Sequence, residues 1–170
     1  MRQIITLPLL LILITGTKIL CQAEELRLFS IHEGHYVMSE KIEKSDAEWR
    51  SLLSREQYHI LREKGTEAAF SGSLWNEHRH GAYSCAGCGL DLFHSEQKYD
   101  SGTGWPSFSA TVAEENILRE EDNSFFMRRT EVLCARCSGH LGHVFPDGPP
   151  PGGERFCMNS LALTFTPTPY

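Results

Sequence analysis

The sequence predicts a mainly β protein, with a small helical N-terminal lobe followed by a mostly antiparallel β body. Three observations predict it. Before Gly65, two helix-start signals lead an apolar stripe at helical spacing. After Gly65, runs such as Phe125 to Leu133 and Arg155 to Phe165 gather β-branched and aromatic residues between Gly, Pro, Asn and Asp turns. Within that second texture lie two Cys-x-x-Cys pairs separated by 45 residues, a spacing suited to joining distant turns.

Length and composition set the frame. With 170 residues, the chain has room for one domain and an N-terminal appendage. Its 41% hydrophobic and 22% charged residues allow an ordinary core and argue against wholesale disorder. Lys and Arg number 16 against 22 acids, a net charge of -6. That balance disfavours nucleic-acid binding driven by phosphate contacts. Six cysteines are too few for a disulfide-dense scaffold of this length.

In chain order, Arg2 precedes an apolar run from Ile4 to Ile14, then Gly16 and Thr17. The run is shorter than the roughly 20 residues needed to span a bilayer. A basic start, a short apolar middle and a small residue at Ala23 describe a signal peptide over 1–23, hence a secreted or periplasmic protein. A buried N-terminal helix or strand is the structural alternative, and a lipid anchor on Cys21 the functional one. Residues 24–44 show no convincing periodicity and read as a tether.

A domain over 45–168 follows. Ser45 with Glu48 forms a capping box, and Trp49, Leu52 and Leu53 supply a helical stripe. Ser54 with Gln57 repeats the signal, Tyr58 and Leu61 continue the stripe, and Gly65 is a natural stop. The β texture then runs to the C-terminus, interrupted by a Pro/Gly loop over 148–153.

Cys85-Ala-Gly-Cys88-Gly89 and Cys134-Ala-Arg-Cys137-Ser-Gly139 each present two thiolates from one tight turn, with a trailing glycine to ease the reversal. Two such knuckles together make a tetrahedral four-sulfur site for structural zinc, with no open position on the metal. Two disulfides are the alternative in an exported protein. A thioredoxin-like pair is the other, although neither pair opens a helical pattern.

Cys157 stands outside both pairs. On a strand, Arg155, Cys157 and Asn159 share one face, and Phe156 and Met158 take the other. A thiol flanked by a cation and an amide suits ionisation and a polar ligand, whereas a buried free cysteine is the bland reading. His140 and His143 follow the second knuckle directly, and a histidine beside a thiol can stabilise the thiolate or deliver a proton. Their alternative is as extra metal ligands or loop histidines, the first weakened by four thiolates already saturating zinc. Trp105 lies in a glycine-rich loop, Ser101 to Phe108, that would expose it as an aromatic wall or bury it in a core.

These motifs, in this order, resemble the B-type methionine-R-sulfoxide reductase family. The resemblance runs from about Ser45 to Pro167. It includes Glu48-Trp49, Glu56-Gln57-Tyr58, Lys64-Gly65-Thr66-Glu67, both knuckles and Tyr99 to Pro106. It continues through His140-Leu-Gly-His-Val-Phe145, Asp147-Gly-Pro149 and Arg155-Phe-Cys-Met-Asn-Ser160.

The resemblance implies two antiparallel sheets, short N-terminal helices and one structural zinc held by Cys85, Cys88, Cys134 and Cys137. It also implies thiol-dependent reduction of the R epimer of methionine sulfoxide, free or protein-bound, in repair of oxidised proteins. Cys157 would be the nucleophile and pass through a sulfenic acid. His143, with His140, would donate and position the proton, and Asn159 would hydrogen-bond in the pocket. Trp105 would pack the substrate methyl, with Arg155 and Asp147 supporting the site. A thioredoxin-like or small-thiol reductant completes the cycle. Many relatives carry a cysteine in the loop before the tryptophan, where this chain has Thr103. The expectation is therefore an enzyme with no internal resolving thiol, unless Cys21 is retained. Alternative functions are a zinc-knuckle binding module and a thiol peroxidase.

Overall fold

A computed structural model describes residues 24–124 and 127–168. The proposed leader over 1–23, including Cys21 and Ala23, lies outside the described residues, as do Phe125 and Phe126 in the first β-rich run. Among the described residues no helix is long and apolar enough to cross a membrane.

Both capping boxes form. Ser45 accepts from Glu48 N and opens α1 (Asp46–Leu52); Ser54 accepts from Gln57 N and opens α2 (Arg55–Glu63). An extended Leu53 divides the two, so Leu52 ends its helix exposed, while Trp49, Tyr58, Ile60 and Leu61 are buried. The reversal after α2 falls on Lys64, in the left-handed region at φ 56°, one residue before the expected Gly65.

Residues 24–44 are not a tether over their length. β1 (Glu25–Ser30) and β2 (His35–Glu40) form an antiparallel hairpin. Its periodicity is weak because only Leu28 of the twelve strand residues is fully buried. Tertiary bonds supply the missing stability: the buried Asn116 side chain accepts from Phe29 N and donates to Phe29 O, each at 2.8 Å. Asp91 also accepts from Ile31 N at 2.8 Å.

The body comprises β3 (Gly81–Cys85), β4 (Asp91–His94), β5 (Lys98–Tyr99), β6 (Ser107–Phe108), β7 (Ile117–Asp122), β8 (Arg129–Cys134), β9 (His140–Phe145), β10 (Arg155–Met158) and β11 (Leu163–Pro167). They make a six-stranded sheet, β5-β6-β10-β9-β8-β7, and a three-stranded sheet, β11-β3-β4, with antiparallel pairings throughout. The run from Arg155 to Phe165 is two strands, because Asn159 leads a 3₁₀ turn, Ser160–Ala162, that carries the chain from one sheet to the other.

Aromatic residues fasten the sheets together. Phe93 of β4 stacks on Phe108 of β6 at 4.2 Å between centroids, and Tyr83 of β3 meets Phe108 edge-on at 5.0 Å. Phe156 and Met158 complete this layer from β10. Alternation along β10 therefore sends Cys157 to the opposite face of the large sheet.

Candidate active site

The two sheets end beside each other at four cysteines. Cys85 closes β3 and Cys134 closes β8, while Cys88 and Cys137 stand in the turns that follow. Cys85 Sγ is 3.7 Å from Cys137 Sγ, and Cys88 Sγ is 3.5 Å from Cys134 Sγ. All four sulfurs fall within 4.8 Å of one another. A disulfide requires about 2.05 Å, whereas metal–sulfur bonds of about 2.3 Å give a tetrahedron with edges of about 3.8 Å. The set can hold a metal ion.

Electrostatics agree. Hydrogen bonding among the sulfurs pushes the Cys134 thiol well up and holds Cys137 well down. Four sulfurs so close cannot all ionise without a cation to share. The first turn uses Gly89 at φ 75°, as expected for a trailing glycine. The second instead uses Ser138 at φ 55°; Gly139 leaves space for Leu61 of α2, whose Cδ2 would lie 3.0 Å from an added Cβ.

Across the other face of the large sheet, Cys157 is the direct cross-strand partner of both Ser107 and His143, and His143 is the partner of Glu131. Directly opposed residues point the same way, so β6, β10, β9 and β8 present Ser107, Cys157, His143 and Glu131 as one row. His140 joins them through a register shift between β8 and β9 at Val132/Leu133. Three residues apart on a regular strand, His140 and His143 would face opposite sides. The bulge brings both rings to one side, 5.5 Å apart edge to face.

A cavity of about 140 Å³ lies over this row, lined by Trp105, His143, Cys157, Asn159, Arg129 and Thr66 among others. Trp105 is a wall, as one sequence reading expected, and its Nε1 donates to Glu67 O at 3.2 Å. Glu67 is buried; its carboxylate accepts from Ser160 N at 2.6 Å and Leu161 N at 3.0 Å. Asn159 accepts from Glu67 N at 3.1 Å and donates to Leu141 O at 3.1 Å. Glu67 and Asn159 thus lock the 3₁₀ turn to the tryptophan loop.

Burial pushes the Cys157 thiol above its ordinary range; the Arg155 charge and the hydroxyls of Thr103 and Ser107 pull the other way. Those hydroxyls are linked through Ser101 Oγ, 2.8 Å from Thr103 Oγ1 and 2.7 Å from Ser107 Oγ. Arg155 itself makes a two-pronged pair with Asp147, both contacts at 2.9 Å. Neither of these two residues lines the Cys157 cavity.

His140 also stands outside that cavity. It is buried and its Nδ1 donates to Glu131 Oε1 at 2.7 Å, while burial lowers its pKa and keeps the ring neutral. His143 makes its own acid contact, Nε2 to Asp122 Oδ2 at 2.8 Å.

Sequence reasoning thus brought Cys157, His143, Asn159 and Trp105 to one cavity, with His140, Arg155 and Asp147 around it. It missed Asp122, Arg129, Glu131 and Glu67. Glu131 carried a signal, an acid inside the strand-like Thr-Glu-Val-Leu-Cys. Asp122 carried none, because only the pairing of β7, β8 and β9 brings it to His143.

A family model described as the SelR domain matches residues 53–167. The chain is 56% identical over 126 residues to a peptide methionine sulfoxide reductase MsrB of Methanosarcina mazei, covering 74% of this chain and 90% of that protein. It is 55% identical over 130 residues to the protein of the same name from Thiobacillus denitrificans, covering 76% and 98%. Against that from Bradyrhizobium diazoefficiens the figures are 57% over 128 residues, 75% and 92%.

Proposed function

Since the chain belongs to the SelR-domain family of peptide methionine sulfoxide reductases, we propose that Cys157 and His143 carry the family's reaction here. The protein reduces the R epimer of methionine sulfoxide to methionine. What carries the residue assignment is the direct cross-strand pairing of Cys157 with His143 beneath a tryptophan-walled cavity.

As thiolate, Cys157 attacks the sulfoxide sulfur. An S–S bond forms while His143 gives the oxygen a proton; the hydroxyl then passes to the Cys157 sulfur as the S–S bond and the substrate's S–O bond break, leaving methionine and a sulfenic acid on Cys157. The substrate sulfur gains the two electrons that the cysteine sulfur loses. Two equivalents of an external thiol then restore Cys157, with release of water and a disulfide. Trp105 packs the substrate methyl, and Asn159 holds the turn that floors the cavity. Arg155, oriented by Asp147, favours the thiolate; His140, held by Glu131, supports His143 from behind.

Cys85, Cys88, Cys134 and Cys137 would hold zinc, which supplies structural cross-linking because four thiolates leave no open position. The basic start and short apolar run before Ala23 support export, and with it repair of oxidised proteins outside the cytosol.

Turnover of separated epimers tests the reading. The wild-type protein should reduce the R and not the S epimer, and Cys157→Ser should lose turnover while keeping its metal. Equal turnover of both epimers, or an active Cys157→Ser protein, contradicts it.

A further inference from the structure

His143 stands in the wall between two spaces. On one side is the Cys157 cavity. On the other is a polar chamber of about 330 Å³ lined by Lys64, Asp122, Arg129, Glu131 and His140 as well as His143. Within that chamber the Asp122 carboxylate is held from three directions. Oδ2 accepts from His143 Nε2 at 2.8 Å and from Arg129 Nη2 at 2.5 Å; Oδ1 accepts from Ser124 N at 2.9 Å. The side chains of Asp122 and His143 are only 17% and 12% exposed, so solvent screens the contact weakly.

The proposed reaction needs a proton at the sulfoxide oxygen, and a ring free to rotate would present it poorly. We propose that Asp122 is the positioning residue for this proton. Bonded to Nε2, it turns His143 so that Nδ1 serves the Cys157 cavity and holds the ring in that orientation for the substrate oxygen. This deepens the functional reading above and rests on it.

Two observations support the assignment. Among the described residues, Nε2 is the ring nitrogen of His143 with a recorded hydrogen-bond partner, so the carboxylate selects which nitrogen remains for chemistry. Asp122 is a dependable anion: hydrogen bonds from Ser124, then from His143, and the charge of Arg129 hold its carboxyl well below the usual range. Around His143 stand Asp122 and Glu121 from β7, Arg129 and Glu131 from β8, Lys64 after α2, the neutral His140 on its own strand and Cys157 on β10. Glu121 is taken up by Arg128 at 2.6 Å and Glu131 by Lys64 at 2.7 Å, which leaves Asp122 as the carboxylate bonded to His143. His140 cannot substitute, being neutral and outside the Cys157 cavity.

The test measures kcat and KM for the R epimer in wild type, Asp122→Asn and Asp122→Glu, with zinc content and near-ultraviolet dichroism as folding controls. Asp122→Asn should lose on the order of 10²-fold in kcat with little change in KM. Asp122→Glu, which keeps the carboxylate, should recover part of that kcat. In wild type, a single turnover should show a normal solvent deuterium isotope effect. Unchanged kcat or a loss confined to KM would overturn the proposal. So would a wild-type isotope effect of one, a measurement that needs no variant to fold. Failure of wild type to reduce the R epimer at all would instead overturn the functional reading, before any variant is compared.

Discussion

At Cys157 opposing influences meet on one sulfur. Burial favours the neutral thiol, while Arg155, Thr103 and Ser107 favour the thiolate. Thr103, in the loop before Trp105, offers a hydroxyl, which cannot exchange with a sulfenic acid. The other cysteines among the described residues are the four clustered at the knuckles, so freeing one would disrupt the metal site. After one equivalent of R-epimer substrate without reductant, mass analysis should therefore find a sulfenic acid on Cys157. An intramolecular disulfide, to Cys21 or to a knuckle cysteine, would refute this. Much at this scale was legible in the sequence. Cys157 was the one cysteine of the 45–168 domain outside a Cys-x-x-Cys pair, and its strand alternation put Phe156 and Met158 in the core. Asp122 and Arg129 were not legible, because a residue's cross-strand neighbour depends on register, and register is a property of the assembled sheet.

Among the elements, β9 is the most constrained. Its bulge against β8 turns His140 to the side of His143, and Gly142 lies between them, opposite Met158 of β10. A Cβ on Gly142 would stand 2.1 Å from the Cys157 carbonyl oxygen and 2.9 Å from Met158 Cα. Both obstacles are backbone, so relief requires the strands to part. Gly142→Ala should cost about 1–3 kcal/mol in denaturant unfolding and depress R-epimer turnover more than that loss alone predicts, since it separates Cys157 from His143. A stable and fully active variant would show that the two strands have slack. The helices were legible because each carries its start in a local reciprocal cap, Ser45 with Glu48 and Ser54 with Gln57. The β1–β2 hairpin was not. Its anchors, Asn116 and Asp91, lie far along the chain, and its strands bury too little to leave a pattern.

For the whole molecule, the question is what keeps two sheets in one arrangement. Rings of Tyr83, Phe93, Phe108 and Phe156 join them through the core, and the cysteine cluster joins them at the rim, with one thiol from the end of β3 and one from its turn meeting one from the end of β8 and one from its turn. The paired Cys-x-x-Cys spacing made the cluster legible in the sequence; that each knuckle belongs to a different sheet became visible only with the strand order. That placement gives the proposed zinc its weight. Structural zinc binding is worth about 10–16 kcal/mol in small domains, comparable with or above the roughly 5–15 kcal/mol net stability of a whole domain. The aromatic layer alone should therefore not hold the native arrangement. Removing the metal with a chelator at neutral pH, or replacing Cys85 or Cys134 with Ser, should abolish near-ultraviolet dichroism, cooperative unfolding and R-epimer turnover together, although Cys157 lies outside the cluster. Readdition of zinc under reducing conditions should restore all three to the chelated wild type and not to either variant. A metal-free chain that kept its tertiary signal and its activity would show instead that the stacked rings suffice, and that the four thiols are a local staple on an already stable body.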